Sequence, residues 1–443
     1  MIDNHTALAS TPVRSDVLTA ISDGVTAAHP ASVVPTAVGL EDGILRVGEA
    51  RYEMAAFDEV RVIGGGKGAE QVVLQLEAIL GDTIAGGVVV SLEGAPSEYV
   101  SVRRGGHPVP TEAGVRHTRA VLEAASAADA DTLLIGVITG GASALLTAPA
   151  AGITRADIAE TTDQLLRAGA SIHELNAVRK HLSAIKGGRL AERAAPATVA
   201  CIVLSDVVGN DLDVIASGPF VPDTTDFAEA AAVIDRYAPD APAAVIERLQ
   251  QGRTGAVDEH PPADSPVFDR VHVEVIADGM TAMQATAAAL GDAGYRCLLL
   301  SSRIRGEATA MATTHVGVAE EIAATGIPIE PPAAIISGGE ATVNVRGDGS
   351  GGPNLEFVLS AVMQTDLADA TIAAIDTDGI DGVSGVAGGI VDVGAIHPDL
   401  AREALARNDA LPLLMESDGI IETGPTGTNV NDLRVIVVPE QAG

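Results

Sequence analysis

Short runs rich in aliphatic residues occur along the first half of the chain at 59–63, 86–91, 132–139 and 199–205, each with the length of a strand. Apolar positions spaced three and four apart at 12–29, 69–80, 111–128, 155–167 and 226–248 predict amphipathic helices around them. A hairpin-like passage near 39–51 stands apart from this rhythm. Strands alternating with helices of this length predict a doubly wound, mostly parallel α/β sheet of Rossmann-like type, with functional groups at the carboxyl ends of the strands. Residues 250–266 are rich in Gly, Pro and acid and read as a linker. A second α/β block follows, with strands expected at 272–277, 296–301, 333–337, 342–345, 371–375 and 433–438, and helices at 280–293, 307–324 and 354–363. The expected organisation is an N-terminal domain at 1–250, a linker at 251–266 and a C-terminal α/β domain at 267–443, with a cleft between the domains.

Composition sharpens this picture. Of 443 residues 47% are apolar but only 2% aromatic, with no Trp, so the cores must be aliphatic, as suits parallel strands covered by helices. Cys201 and Cys297 lie in apolar runs and read as small core residues. Residues 132–154 carry no charge, yet Gly140, Gly141, Pro149 and Gly152 break the run, so a membrane span is not expected. No secretory leader opens the sequence, and a cytoplasmic protein is expected. Sixty acidic residues face 27 basic ones, a net charge of −33. Nucleic acid and anionic membrane are poor partners for such a surface. Only Lys67, Lys180 and Lys186 are lysines, a bias expected of a halophilic protein, and the three that remain are those that chemistry or burial would require.

Against that acidity, residues 176–189 hold two lysines, two arginines and a histidine with no carboxylate. On a helix Asn176, Arg179, Ser183 and Lys186 share one stripe beside an apolar stripe of Ile172, Leu175, Val178, Leu182 and Ile185, with Gly187 and Gly188 ending the helix. Such a line is either a solvated face or a seat for a bound anion. Gly64-Gly-Gly-Lys-Gly-Ala69 fits a loose dinucleotide fingerprint through Gly65 and Gly66, with Glu93 near the position of a ribose-binding acid. Lys67 within the turn suits a phosphoryl group or a carboxylate better than a nicotinamide. Gly140, Gly141 and Ser143 form a second strand-to-helix turn whose amides can hold an anion. Ser205 and Asp206 follow another strand, where Asp206 can act as a base, help hold Mg2+, or merely cap. In the second block, loops at 337–340, 376–382 and 423–429 offer Glu340, Asp378, Asp381, Thr426 and Asn429. Asp378 and Asp381 are candidate metal ligands, and the others suit nucleotide contacts.

Taken in order, His107-Pro-Val-Pro110, Thr139-Gly-Gly-Ala-Ser-Ala-Leu-Leu146, the stretch 176–190, Ser205-Asp-Val-Val-Gly209, Ser217-Gly-Pro219, Ser337-Gly-Gly-Glu340, Thr377-Asp-Gly-Ile-Asp-Gly382 and the stretch 423–432 resemble the type II glycerate kinases, whose C-terminal module is known as MOFRL. The resemblance implies two domains, ATP and Mg2+ as cofactors, and phosphorylation of D-glycerate to 2-phosphoglycerate, with Lys67 and Asp206 near the reacting groups. One departure stands out. Where the family usually shows Gly-Gly-Arg-Asn-Gln-Glu, this chain has Gly351-Gly-Pro-Asn-Leu-Glu356, which retains Asn354 but puts Pro353 in place of a cation. Arg179, Arg346 or Lys186 would then supply that charge, or the role is dispensable. An NAD(P)-dependent hydroxypyruvate reductase is the alternative raised by the 64–69 fingerprint, and a non-catalytic anion or nucleotide sensor is a third. A homodimer is compatible with either enzyme.

Overall fold

The computed structural model describes residues 1–440 apart from Ala95 and Ala368. The chain forms two compact units, one of Val33–Ile276 and the other of Met1–Ser32 together with the chain from Ala277 onward. This division differs from boundaries placed at 250 and 266, for two physical reasons. The helix Pro12–Ala27 buries Val17, Leu18, Ile21 and Val25 in the same cluster as Leu433, Val435 and Val437 of the last strand. At about 1.5–3 kcal/mol for each fully buried large aliphatic side chain, that packing far outweighs proximity in sequence. Residues 250–266 are no free connector, because His260 within them is 5% exposed and lies against Asp223.

The unit Val33–Ile276 is built on a six-stranded sheet ordered Ser101–Arg104, Ile84–Ser91, Glu59–Gly65, Thr132–Ile138, Thr198–Leu204, Val271–Ala277. The first four pairings are parallel. Numbered in chain order the strands run 3-2-1-4-5-6, the doubly wound arrangement, and its switch point lies between Glu59–Gly65 and Thr132–Ile138. Thr132–Ile138 is buried at every position, as its unbroken aliphatic run demands. The hairpin-like passage is a small antiparallel sheet of Val38–Glu41, Ile44–Val47 and Ala50–Glu53. A separate helical cluster gathers Leu165, Leu175, Val178, Phe227, Ile234 and Val245.

The other unit holds a mixed sheet ordered Arg296–Glu307, Ala333–Thr342, Asp432–Val438, Thr371–Asp376, Gly388–Asp392, Ile420–Ile421. Its first pair is parallel and the rest are antiparallel. The strand expected at 342–345 does not form: Ala333–Thr342 runs on as one strand, and Val345 beyond it is 78% exposed. The strand Gly388–Asp392, rich in glycine, carried too little apolar signal to be anticipated. Cys201 is buried and Cys297 half-buried, and both are free thiols. No helix among the described residues is long and apolar enough to cross a membrane.

Candidate active site

Two glycine turns meet at the switch point of the parallel sheet. The amide of Lys67 donates to Gly140 O at 2.7 Å, that of Gly68 to Thr139 Oγ1 at 3.0 Å, and that of Gly66 to Val90 O at 3.0 Å. Gly66 has φ +145°, and a Cβ there would stand 2.1 Å from Thr139 Oγ1, so only glycine permits this contact. The consequence is chemical. The amides that a dinucleotide-binding turn aims at a pyrophosphate are here spent on the neighbouring turn and on the strand Ile84–Ser91. Glu93, the candidate ribose acid, is exposed. What the first turn presents is the half-buried side chain of Lys67.

The second turn is hemmed in by the chemistry-bearing groups. A Cβ on Gly140 would lie 2.5 Å from Asp206 Oδ2, and one on Gly141, at φ +77°, would lie 2.9 Å from both Lys67 Cγ and His107 Cδ2. Lys67, His107 and Asp206 therefore converge on Gly140 and Gly141 from three segments. Among the described residues no backbone carbonyl takes the amide hydrogen of Gly140 or Gly141. His107 drew attention in the sequence only as part of a motif, because nothing local marks a ring that folds against a turn 34 residues on. Ser205 is 1% exposed, and its Oγ accepts from Val207 N at 3.2 Å, so it shapes the turn that carries Asp206.

The basic island does not form one helix. The helix Ile172–His181 stops short, because Leu182 O accepts from Ala150 N at 2.9 Å and Ala184 N donates to Ala148 O at 2.8 Å, which pulls the chain into a bridge with 148–150. Gly188, at φ +79°, caps the next helix, Arg189–Ala194, instead of ending the first. Ile172, placed on the apolar stripe, is 47% exposed. Even so, Arg179, Ser183 and Lys186 line one cavity of about 400 Å³ with Ser143 and Pro108. Lys186 Nζ donates to Ser143 O at 3.1 Å and Ala216 O at 3.2 Å. Burial, with Arg179 and Lys180 nearby, brings its ammonium down to about 7, and burial likewise lowers Arg179. Asn176 lies off the cavity wall and accepts from Ser217 Oγ at 3.1 Å. Lys180 is 1% exposed and paired with Asp213 and Asp223, which is a structural task.

In the other unit the expected contact residues are drawn mainly into structure. Asp381 accepts from the amides of Asn354 and Leu355 at 2.9 Å each and so caps the helix Pro353–Gln364. Asn354 is fully buried, and its Nδ2 bridges Asp381 Oδ1 at 3.1 Å and Asp432 Oδ1 at 2.6 Å. Asp432 pairs with the buried Arg434. Both of Asp381's oxygens are thus engaged in the helix cap, and Asn354 ties Asp381 to Asp432 within this network. Burial raises Asp381 to about 7, and burial with Asp378 and Asp432 nearby raises Asp376 as well. Thr426 Oγ1 donates to Thr377 O at 2.6 Å and its amide to Asp378 O at 3.2 Å, joining the loops at 376–382 and 423–429. Asn429 Oδ1 accepts from Asn431 N at 3.0 Å, Glu340 is exposed, and Asp378 is half-buried. Pro353 takes the first position of its helix, where a missing N–H costs nothing, and Arg346 is exposed.

Residues 16–250 match a domain of unknown function (DUF4147), and residues 333–432 match the MOFRL family. A glycerate 2-kinase from Pyrococcus horikoshii is 35% identical over 97% of this chain and 98% of its own length. A relative from Agrobacterium vitis, provisionally named a hydroxypyruvate reductase, is 38% identical over 85% of this chain and 86% of its own. The crystal structure of a glycerate kinase from Thermotoga maritima superposes with a TM-score of 0.84 at 31% identity, covering 96% of this chain and 99% of that one. With both modules in place and relatives matched along nearly the whole length, the chain belongs to the type II glycerate kinase, or MOFRL, family.

Proposed function

We propose that this protein transfers the γ-phosphoryl group of ATP to D-glycerate, giving 2-phosphoglycerate. The observation that carries the reading is the convergence of Lys67, His107 and Asp206 on the Gly140–Gly141 turn, beside a first turn whose own amides are already bonded. Phosphoryl transfer asks mainly for positioning and charge neutralisation. Arg179, Ser183 and Lys186 line a cavity that suits the glycerate carboxylate, and Ser143 connects that cavity to the turn. Lys67 neutralises charge on the transferring group. The glycerate hydroxyl oxygen bonds to the γ-phosphorus as the bond to the β–γ bridging oxygen breaks. ADP leaves with that electron pair, and the hydroxyl proton passes to Asp206. Mg2+ bound with the nucleotide would neutralise phosphate charge.

Phosphorus NMR of the protein with ATP, Mg2+ and D-glycerate in molar KCl tests the reading, because it reports reaction class and the hydroxyl modified at once. A 2-phosphoglycerate signal is expected, and a 3-phosphoglycerate signal would overturn the regiochemistry. Lys67→Ala should lower kcat by about 10²–10³ without loss of fold, and full turnover in that variant would remove Lys67 from the chemistry. The relative from Agrobacterium vitis motivates a reductase reading, and the bonded amides of 66–68 count against it. NADH oxidation on addition of hydroxypyruvate, with no ATP consumed, would replace the kinase reading.

A further inference from the structure

A buried cluster beneath the basic island takes no part in the chemistry above. His181, the last residue of its helix, places Nδ1 2.7 Å from Ala177 O. A carbonyl can only accept, so Nδ1 carries a hydrogen, and Nε2 is aimed at Glu259 Oε1, 2.9 Å away. On the other side His260 Nδ1 lies 2.9 Å from Asp223 Oδ2 and 3.8 Å from Glu259 Oε1. Asp223 Oδ1 already accepts from Lys180 Nζ at 3.0 Å and from Thr225 N and Oγ1 at 2.9 and 2.8 Å, which leaves Oδ2 turned to the histidines. Donor atoms of His181, Asp223 and His260 all lie within 4.8 Å of one another. These three side chains are at most 2% exposed, while Glu259, at 45%, opens a route to solvent.

Charge points the same way. Lys180 is paired with Asp213 and Asp223, while Glu259 faces His181 and His260, so carboxylates outnumber the one ammonium bonded among them. Arg189 and Arg248 stand outside this set and donate to the backbone carbonyls of Asp258 and His181. Of these carboxylates Asp223 is fully buried, and a divalent cation beside its Oδ2 would compensate charge where water does not reach.

We propose that His181 Nε2, His260 Nδ1 and Asp223 Oδ2 hold a borderline divalent transition cation of the Zn2+ class, the exposed side chain of Glu259, beside both histidines, turning inward to complete a tetrahedral set. A histidine tied through its far nitrogen to a backbone carbonyl, and a carboxylate tied through its far oxygen to a lysine, are the supports by which proteins orient metal ligands. Mixed imidazole and carboxylate donors suit Zn2+ better than Mg2+ or Ca2+. Gly187, at φ +59°, leaves room: a Cβ there would stand 3.0 Å from His260 Cδ2 and 3.1 Å from Asp223 Oδ2. The ion would fasten Asp223 and 259–260 to the end of the helix that leads into Ser183 and Lys186.

The test uses the full chain, treated with chelator, desalted, and titrated with Zn2+ by calorimetry and with Co2+ by visible absorption. One equivalent of Zn2+ per chain is expected, together with the intense bands of tetrahedral Co2+, displaced by Zn2+. His260→Gln should weaken Zn2+ binding by about 100-fold or more. Absence of stoichiometric uptake by the unaltered chain, or the weak spectrum of six-coordinate Co2+, would overturn the site, as would unchanged affinity in His260→Gln. The first two readouts need no variant, so poor folding of the mutant does not shelter the idea.

Discussion

Lys186 is the residue whose environment makes the sharpest demand. Its ammonium falls from an ordinary 10.5 to about 7, because burial and two neighbouring cations oppose the charge. Between those values the folded chain holds fewer protons than the unfolded one, so this group makes stability rise with pH across that window. An anion bound beside it reverses the balance and restores the proton. Binding of D-glycerate at pH 8 should therefore take up close to one proton, and affinity should fall by up to about tenfold per pH unit above about 7. Calorimetry in buffers of different ionisation enthalpy measures the uptake, and Lys186→Met should abolish it. At this scale the sequence was legible where position speaks for chemistry. Lys67 and Asp206 follow strands of a parallel sheet, and near-absence of lysine elsewhere drew attention to the three that remain. It was opaque for Lys180, Asn354 and Asp381, whose partners Asp213, Asp223 and Asp432 lie far along the chain, so that a buried tie and a ligand contact look alike.

Elements were readable wherever one period persisted. The four central strands of the parallel sheet and the helices between them follow from aliphatic runs, whereas the order of the strands does not, nor does the stop at His181. There the pattern continues, but backbone bonds to 148–150 outcompete it. The helix Pro353–Gln364 offers a test of element-level causation, because its first amides depend on Asp381. Asp381→Ala should destabilise its unit by about 1–3 kcal/mol, read as a lower denaturation midpoint, with Asp381→Asn milder. The pH dependence has a definite sign. Asp381 and Asp376 are both raised above the carboxylate range, so the folded state carries more protons than the unfolded one. Their contribution to stability is complete at acid pH and is lost as pH rises through about 7 for Asp381 and about 8 for Asp376. Unfolding followed from pH 5 to 9 should show that fall flattened in Asp376→Asn.

Over the whole molecule the excess of acid governs behaviour in salt. A net charge of −33 strains the compact state by self-repulsion, with a reach of ~10 Å in ~0.1 M KCl but only ~3 Å in ~1 M. The melting temperature should rise by at least about 5 °C between those conditions, and an unchanged or falling value by circular dichroism would dismiss the halophilic reading of the surface.

The helix Pro12–Ala27 also fixes an order of events. It leaves a ribosome well before Leu433, Val435 and Val437, with which it is buried, and Asp3 N waits for Glu422 O. Some 400 residues must be synthesised before that contact can close, while the parallel sheet at 59–204 has every strand it needs much earlier. Until then this apolar stretch has no partner to bury it. The sparing use of large side chains there, Val and Ala beside a single Leu and a single Ile, keeps that exposed face less adhesive while it waits.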